Sequence, residues 1–116
     1  MLKQLLGKFA ENRAEALLKS AGLSIVTRNW RCRHGEIDLI AQDGQVLVFV
    51  EVRSRKHQAY GTAADSITSS KQRRIILAAR QYLSTLKSIP ACRFDAVTLD
   101  AGNDPVWIKS AFDDMG

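Results

Sequence analysis

Gly35-Glu36-Ile37-Asp38-Leu39-Ile40-Ala41, then Gln42-Asp43-Gly44-Gln45, then Val46-Leu47-Val48-Phe49-Val50-Glu51-Val52-Arg53 is the stretch that decides the fold. Asp-Gly between two strand-like runs is the strongest short-range hairpin signal. Glu36–Ala41 and Val46–Arg53 therefore read as neighbouring antiparallel strands. Val46–Val50 is apolar at every position, so this strand is expected to be central and covered on both faces, with helices on each side of the sheet. Against that background Glu36, Asp38 and Glu51 stand where a buried strand would carry valine. That conflict is the main functional clue in the sequence.

Side chains alternate along a strand, so Glu36 and Asp38 share one face, Ile37 and Leu39 point the other way, and Glu51 and Arg53 share a face. With Asp43-Gly44 as a two-residue loop, Gln42 faces Gln45, Asp38 faces Phe49 and Glu36 faces Glu51. Three carboxylates and Arg53 then converge on one patch, whereas a one-residue slip would send Glu51 to the opposite face. Like charges directly opposite are destabilising. They are relieved by proton sharing, by arginine or by a bound metal. Oxygen-only ligands without a Cys or His cluster suit Mg²⁺ or Mn²⁺. The charge pattern alone leaves two readings level: an ion-pair network in which Arg31, Arg53 and Arg55 neutralise the acids, or a metal site.

Outward from the hairpin, Leu5–Gly22 has the spacing of an amphipathic helix, with Phe9, Ala10, Ala14, Leu17, Leu18 and Ala21 on its stripe and Gly22 just past its end. Glu11 and Glu15 lie beside that stripe, and by spacing Glu11 reads as a solvated helix residue. Leu23–Arg31 is a first strand. Arg55–Ser70 is polar and reads as a loop or crossover. Lys71–Lys87 is a second helix with a stripe of Ile75, Ile76, Ala79, Leu83 and Leu86, an N-cap at Ser69 or Ser70, and Pro90 beyond its end. Arg93–Leu99 is a fourth strand, 100–105 a turn cluster, Val106–Phe112 a short fifth strand and 113–116 a frayed tail. The order α-β-β-β-α-β-β over 116 residues is that of one α/β domain, 1–116, with a mixed sheet of about five strands.

Composition narrows the function classes. A 46% hydrophobic and 25% charged chain is ordinary for a globular protein. No apolar run reaches the length of a membrane span, and the N-terminus has no apolar leader core, so a cytoplasmic protein with no membrane partner is expected. Cys32 and Cys92 form no ligand motif and read as free thiols; His34 and His57 show no metal-ligand spacing either. The net charge of +5 favours polyanionic partners. Arg28, Arg31, Arg33, Arg53, Arg55, Lys56, Lys71, Arg73 and Arg74 are the residues placed to track a nucleic-acid backbone, or to form an ordinary solvated face. Only Trp30, Tyr60 and Tyr82 are available for base stacking, which argues against a single-strand platform.

Gly7-x-x-x-Glu11-x-x-Ala14, Gly35-Glu36-Ile37-Asp38-Leu39-Ile40, Val48-Phe49-Val50-Glu51-Val52-Arg53-x-Arg55 and Arg93-Phe94-Asp95 resemble the YraN-like family of small bacterial proteins. That family is in turn similar to the PD-(D/E)xK nuclease superfamily, particularly its Holliday-junction-resolvase branch. The resemblance implies a restriction-endonuclease-like, three-layer α/β/α fold. It also implies an Mg²⁺- or Mn²⁺-dependent endonuclease acting on structured or branched DNA. By position it matches Glu11 to a helix-borne acid and Asp38 and Glu51 to the metal-ligating acids. Arg53 stands where the superfamily usually carries a lysine, and unlike lysine it stays charged while still able to clamp a phosphate oxygen. Gln72, beside Lys71, would reach the same rim. Junction-cutting relatives act as dimers, which by analogy suggests a homodimer. The alternative is a nuclease fold that does not cut and serves as a nucleic-acid-binding or protein-interaction module.

Overall fold

The computed structural model describes residues 2–55, 67–100 and 102–114. Lys56, His57 and Tyr60 lie outside the described residues, as does most of the expected crossover loop. Two helices and five strands follow in the order α1 (Leu2–Ser20), β1 (Ser24–Cys32), β2 (Gly35–Asp43), β3 (Val46–Arg55), α2 (Ser69–Leu83), β4 (Ala91–Asp100) and β5 (Val106–Phe112). The sheet runs β1-β2-β3-β4-β5, parallel between β3 and β4 and antiparallel at every other pairing. The parallel pair follows from α2, because parallel strands need a crossover and a helix supplies it.

Alternation along β3 builds the layers. Val48 and Val50 pack with Ala10, Ala14 and Leu18 of α1, together with Leu39, Ala41, Val97 and Leu99. Leu47 and Phe49 pack on the other face with Ile75, Ala78 and Ala79 of α2, together with Ile37, Ile40 and Phe94. The sheet thus lies between the helices, the α/β/α arrangement compatible with a restriction-endonuclease-like fold. Phe49, Phe94 and Phe112 continue the α2 side as a row of stacked rings, with centroids 5.5 and 5.1 Å apart. Trp30 and Tyr82 meet edge to face at 5.4 Å on the same side. Their rings are engaged with each other and are not offered as a stacking platform.

Local signals place the element ends. Gly22, at φ +97°, closes α1, and the Leu23 amide reaches back to Leu18 O at 3.0 Å, the motif that favours a left-handed glycine. The N-cap of α2 is Thr68, not Ser69 or Ser70: its Oγ accepts the Lys71 amide at 3.1 Å. The helix also stops at Leu83, short of Lys87, and tightens into a turn in which the Leu86 amide reaches Leu83 O. The expected frayed end is in part anchored, since Asp114 accepts from Arg80 Nε at 3.1 Å and from its Nη2 at 2.6 Å.

The hairpin register differs from the expectation by two residues. Asp43 pairs with Val46, Leu39 pairs with Val50, and the loop is Gly44-Gln45. Gly44 has φ +60°, which suits glycine at the first loop position of a two-residue hairpin. A shift of two preserves the faces but changes every partner. Continued one step past Leu39–Val50, this register sets Asp38 opposite Glu51, where Glu36 was expected.

Candidate metal and nucleic-acid site

The β2–β3 ladder ends at Leu39–Val50, although both strands continue. Beyond it Glu36 and Gly35 stay paired to β1, while Glu51–Arg55 stay paired to β4. Asp38 sits at this parting. Its Oδ2 accepts the Val52 amide at 2.8 Å, so a side chain serves a backbone donor that the ladder leaves behind. The alternation of faces breaks at the same level. Ile37 packs on the α2 side and Leu39 on the α1 side, although strict alternation would unite them. On β1, Asn29 has φ +51° between the rungs Arg28–Leu39 and Trp30–Ile37. Asn tolerates this left-handed conformation better than most residues.

Asn29 also organises the acids. Its Nδ2 donates to Glu11 Oε2 at 3.0 Å and to Glu36 Oε1 at 2.7 Å, bridging α1 to β2. Carboxylate oxygens of Glu11, Glu36 and Asp38 all lie within 4.8 Å of one another. Arg28 closes the outer side, with its guanidinium 3.4 Å from Glu11, 3.6 Å from Glu15 and hydrogen-bonded to Asn12 at 2.8 Å. Arg31 lies 3.5 Å from Glu36. Part of the ion-pair reading is therefore present, but among the described residues its main cation is Arg28 and Arg53 makes none of these bonds; the Arg55 side chain lies outside what the structure describes.

Asp38 links this group to Glu51. Burial, then a hydrogen bond to Glu51 and the charge of that residue, push the Asp38 carboxyl up to about 9; the Val52 amide works against the shift and Glu36 adds to it. At neutral pH Asp38 therefore holds a proton and donates it to Glu51, the proton-sharing solution to adjacent acids. Glu51 is 5% exposed, and its Oε2 has no hydrogen-bond partner; the Lys71 ammonium of α2 stands 3.5 Å away. Alternation and the unbroken β3–β4 register put Arg53 and Thr98 on the face of Glu51. Thr98 is buried and its Oγ1 is likewise without a partner. These groups stand toward the carboxyl ends of the parallel pair, where α/β sheets commonly bind ligands. The expectation that Glu36, Asp38, Glu51 and Arg53 share one face is thus corrected. Glu11, Glu36 and Asp38 gather toward α1, Glu51 and Arg53 face α2, and the two groups meet where the strands part.

The remaining sequence-derived residues are spread around this centre. Arg33 occupies the exposed β1–β2 hairpin loop and donates to His34 at 3.4 Å. A Cβ on neighbouring Gly35 would lie 3.6 Å from Arg74 Cβ, so hairpin and α2 meet there and Arg33 and Arg74 mark one corner. Arg73 is exposed and lines a cavity of about 490 Å³ with Gln72, Ile76, Arg80 and Asp114. Gln72 donates to Ile67 O at 3.0 Å, which ties it to the start of its own helix. Asn29 was not singled out from the sequence; an Asn inside a strand was its only signal.

The last of the motif acids, Asp95, is satisfied within the fold. It is fully buried on β4 and receives Arg93 Nε at 2.9 Å and Nη2 at 3.0 Å, Trp107 Nε1 at 3.0 Å and the Ser110 amide at 3.0 Å. Arg93 also reaches Asp43 at 3.1 Å, so this hub joins β4 and β5 to the β2–β3 turn. Its bonds are structural.

The fold and the acid group define a compact α/β domain of restriction-endonuclease-like architecture with a carboxylate cluster at a fork in its sheet. Among known proteins, the model of the family described as "Uncharacterised protein family UPF0102" matches residues 10–99. A UPF0102 protein of Nitrosospira multiformis is 54% identical over 115 residues, 97% of each chain. One of Herminiimonas arsenicoxydans is 46% identical over 111 residues, 96% of this chain and 89% of the relative. One of Psychromonas ingrahamii is 48% identical over 107 residues, 91% and 88% of the respective chains. The chain belongs to the UPF0102, or YraN-like, family. No helix among the described residues is long and apolar enough to cross a membrane.

Proposed function

We propose that this chain binds nucleic acid and is a divalent-metal-dependent endonuclease acting on structured or branched DNA. The observation that carries the reading is the Asp38–Glu51 pair: a buried carboxylate with an oxygen lacking a hydrogen bond, beside a carboxyl that burial and like charge keep protonated. A stable protein gains little from such an arrangement, and strained ionisable groups concentrate at functional sites. The donor set fits a hard divalent ion, since the grouped ligand atoms of Glu11, Glu36 and Asp38 are all carboxylate oxygens. Asp38, Glu51 and Glu11 would hold Mg²⁺ or Mn²⁺, with Glu36 within reach.

Such an ion supplies an activated water and stabilises charge on a phosphodiester under attack. The chain's own residues set the rest. Asn29 holds Glu11 and Glu36 at a fixed spacing, and the Val52 amide fixes the Asp38 carboxylate. Arg53, half-buried and without a hydrogen bond or ion pair among the described residues, is free to clamp a phosphate. Arg33, Arg73 and Arg74 would follow the backbone beyond it, contacts that position a duplex without reading its sequence.

The same Arg53 favours the second reading, a fold that binds nucleic acid without cutting. Incubation of the protein with junction, flap and linear DNAs and Mg²⁺ or Mn²⁺ separates the two. Cleavage that disappears in Asp38→Ala and Glu51→Ala is expected. Binding at low salt with no cleavage of any of these DNAs by the wild type would sink the endonuclease reading and leave the binding module.

A further inference from the structure

Among the described side chains, the cation nearest the buried carboxylate of the site comes from a helix, not from β3. Lys71 Nζ lies 3.5 Å from Glu51 Oε2, whereas Arg53 has no ionic partner among the described residues. We propose that Lys71 is a catalytic residue whose ammonium contacts the scissile phosphate, with Arg53 confined to holding the substrate backbone. The proposal rests on the endonuclease reading above and assigns the working cation within it.

Three features of the fold place Lys71 for this task. Its backbone is fixed in the first turn of α2, where its amide donates to the Thr68 cap, while its side chain is a flexible stem ending in a compact charge. That turn contains no acidic residue, so the partial positive charge of the helix N-terminus adds to the ammonium. It also faces the carboxyl ends of β3 and β4, where the buried Thr98 hydroxyl is a second polar atom without a partner. A ligand oxygen entering there meets a cation and a helix terminus together.

The ion pair itself suggests how the residue changes partners. Glu51 is buried, and a buried carboxylate without compensation is costly, so Lys71 must stay with it while the site holds no other cation. With Glu51 holding a divalent ion, the carboxylate would no longer need Lys71 for compensation, and the ammonium would be free to exchange it for a non-bridging phosphate oxygen. Lys71 forms no covalent bond and keeps its proton. In the hydrolysis the bond from water oxygen to phosphorus forms as that water gives a proton to solvent, the ester P–O bond breaks with its electron pair leaving on the ester oxygen, which takes a proton from solvent, and the attraction of the Lys71 ammonium grows as the phosphoryl oxygens become more negative. Arg53, delocalised and planar, suits a steady grip on a neighbouring phosphate.

The test compares Lys71→Met, Lys71→Arg and Arg53→Met in the full chain. Mn²⁺-dependent turnover is measured at saturating DNA, and DNA affinity is measured separately in Ca²⁺. Lys71→Met is expected to lower turnover about 100-fold or more with DNA affinity little changed, and Lys71→Arg to recover part of it. Arg53→Met is expected to act on DNA affinity. A second readout needs no activity: Mn²⁺ should raise the Tm of Lys71→Met more than that of the wild type, because the ion replaces a compensating charge the variant has lost. Turnover of Lys71→Met within about threefold of wild type would overturn the assignment. So would turnover abolished by Arg53→Met but retained by Lys71→Met, or equal Mn²⁺ stabilisation of both proteins. A wild type that neither cuts DNA nor binds Mn²⁺ would overturn the endonuclease reading itself, a result distinct from these.

Discussion

The Asp38 carboxylate accepts the Val52 amide at 2.8 Å, one step past the last rung of the β2–β3 ladder. One residue therefore does two opposing things. It satisfies a backbone donor that the parting strands leave open, and it stands against Glu51, where burial and the neighbouring acid keep the Asp38 carboxyl protonated. The first role stabilises the fold and the second works against it. Sites built for ligands commonly show this trade.

Stability of the metal-free protein is expected to carry the signature of Asp38. The unfolded chain loses this proton near the ordinary value of 3.8, while the folded protein holds it to about 9. Between those values the folded state binds more protons than the unfolded state, so this group lowers stability as pH rises. Its contribution is most favourable below about 4, declines toward 9 and is flat beyond. Asp38→Asn keeps an acceptor for Val52 and cannot ionise. It should flatten the decline and stabilise the metal-free protein at neutral pH by about 1–3 kcal/mol. Urea denaturation at several pH values measures this, and an unchanged pH slope in Asp38→Asn would count against a buried, protonated Asp38.

Metal binding should be linked to the same proton. Ligation requires carboxylate, so Mn²⁺ entering at pH 7 is expected to release about one proton per ion. Titration calorimetry in buffers of different ionisation enthalpy reports that number directly. Asp38→Asn should lose both the proton release and most of the affinity. Binding without proton release would place the ion away from Asp38.

Asn29 tests how the acids are spaced. Asn29→Ala removes both bridges and leaves an alanine at φ +51°, so a loss of about 1–2 kcal/mol in stability is expected. Asn29→Gly tolerates the backbone and lacks the bridges. It should lose less stability but weaken Mn²⁺ binding as much as alanine does. Equal Mn²⁺ affinity in wild type and Asn29→Gly would show that the bridge does not organise the ligands.

Asp95 should behave as the opposite kind of acid. Removing it leaves Arg93, Trp107 and the Ser110 amide without their shared acceptor inside the protein. Asp95→Ala is expected to cost about 3–5 kcal/mol, the scale for breaking a buried charged network. Trp107→Phe, which removes one donor, should cost about 1 kcal/mol. A DNA-cleavage defect in Trp107→Phe at full stability would contradict a purely structural hub.

The contrast between these acids shows what the sequence could disclose. Strand and helix periods specified the layers, because Val46–Val50 can only be buried on both faces and the alanine-leucine stripe of α1 matches one of them. The register was legible only to parity. Asp-Gly marks a turn, but whether Asp43 lies in the loop or on the last rung depends on which two residues the strands leave over. The meeting of Asp38 with Glu51 was hidden for a different reason. It needs the ladder to stop at Leu39 and the face alternation to break opposite Asn29, beyond which β2 stays with β1 and β3 with β4, pairings between strands that no local pattern encodes. Lys71 showed only as one basic residue among many, since nothing local says that a helix start will return to a strand acid.

Salt dependence discriminates among the arginines. A side chain that neutralises a DNA phosphate releases counterions, so binding weakens linearly with the logarithm of salt concentration, with a slope close to the number of such contacts. Arg73 and Arg74 are exposed and have no ion pair among the described residues, so each is available to a phosphate. Arg73→Ala and Arg74→Ala should each reduce the slope by about one while weakening binding alike for all sequences. Arg28 is equally basic but engages Glu11, Glu15 and Asn12. Arg28→Ala should therefore leave the slope unchanged and act through the acids it faces, raising Mn²⁺ affinity because a cation that competes for Glu11 is gone. Fluorescence anisotropy across a salt series in Ca²⁺ provides the slopes. A slope lost with Arg28 and kept without Arg73 and Arg74 would move the nucleic-acid path to the α1 side of the sheet.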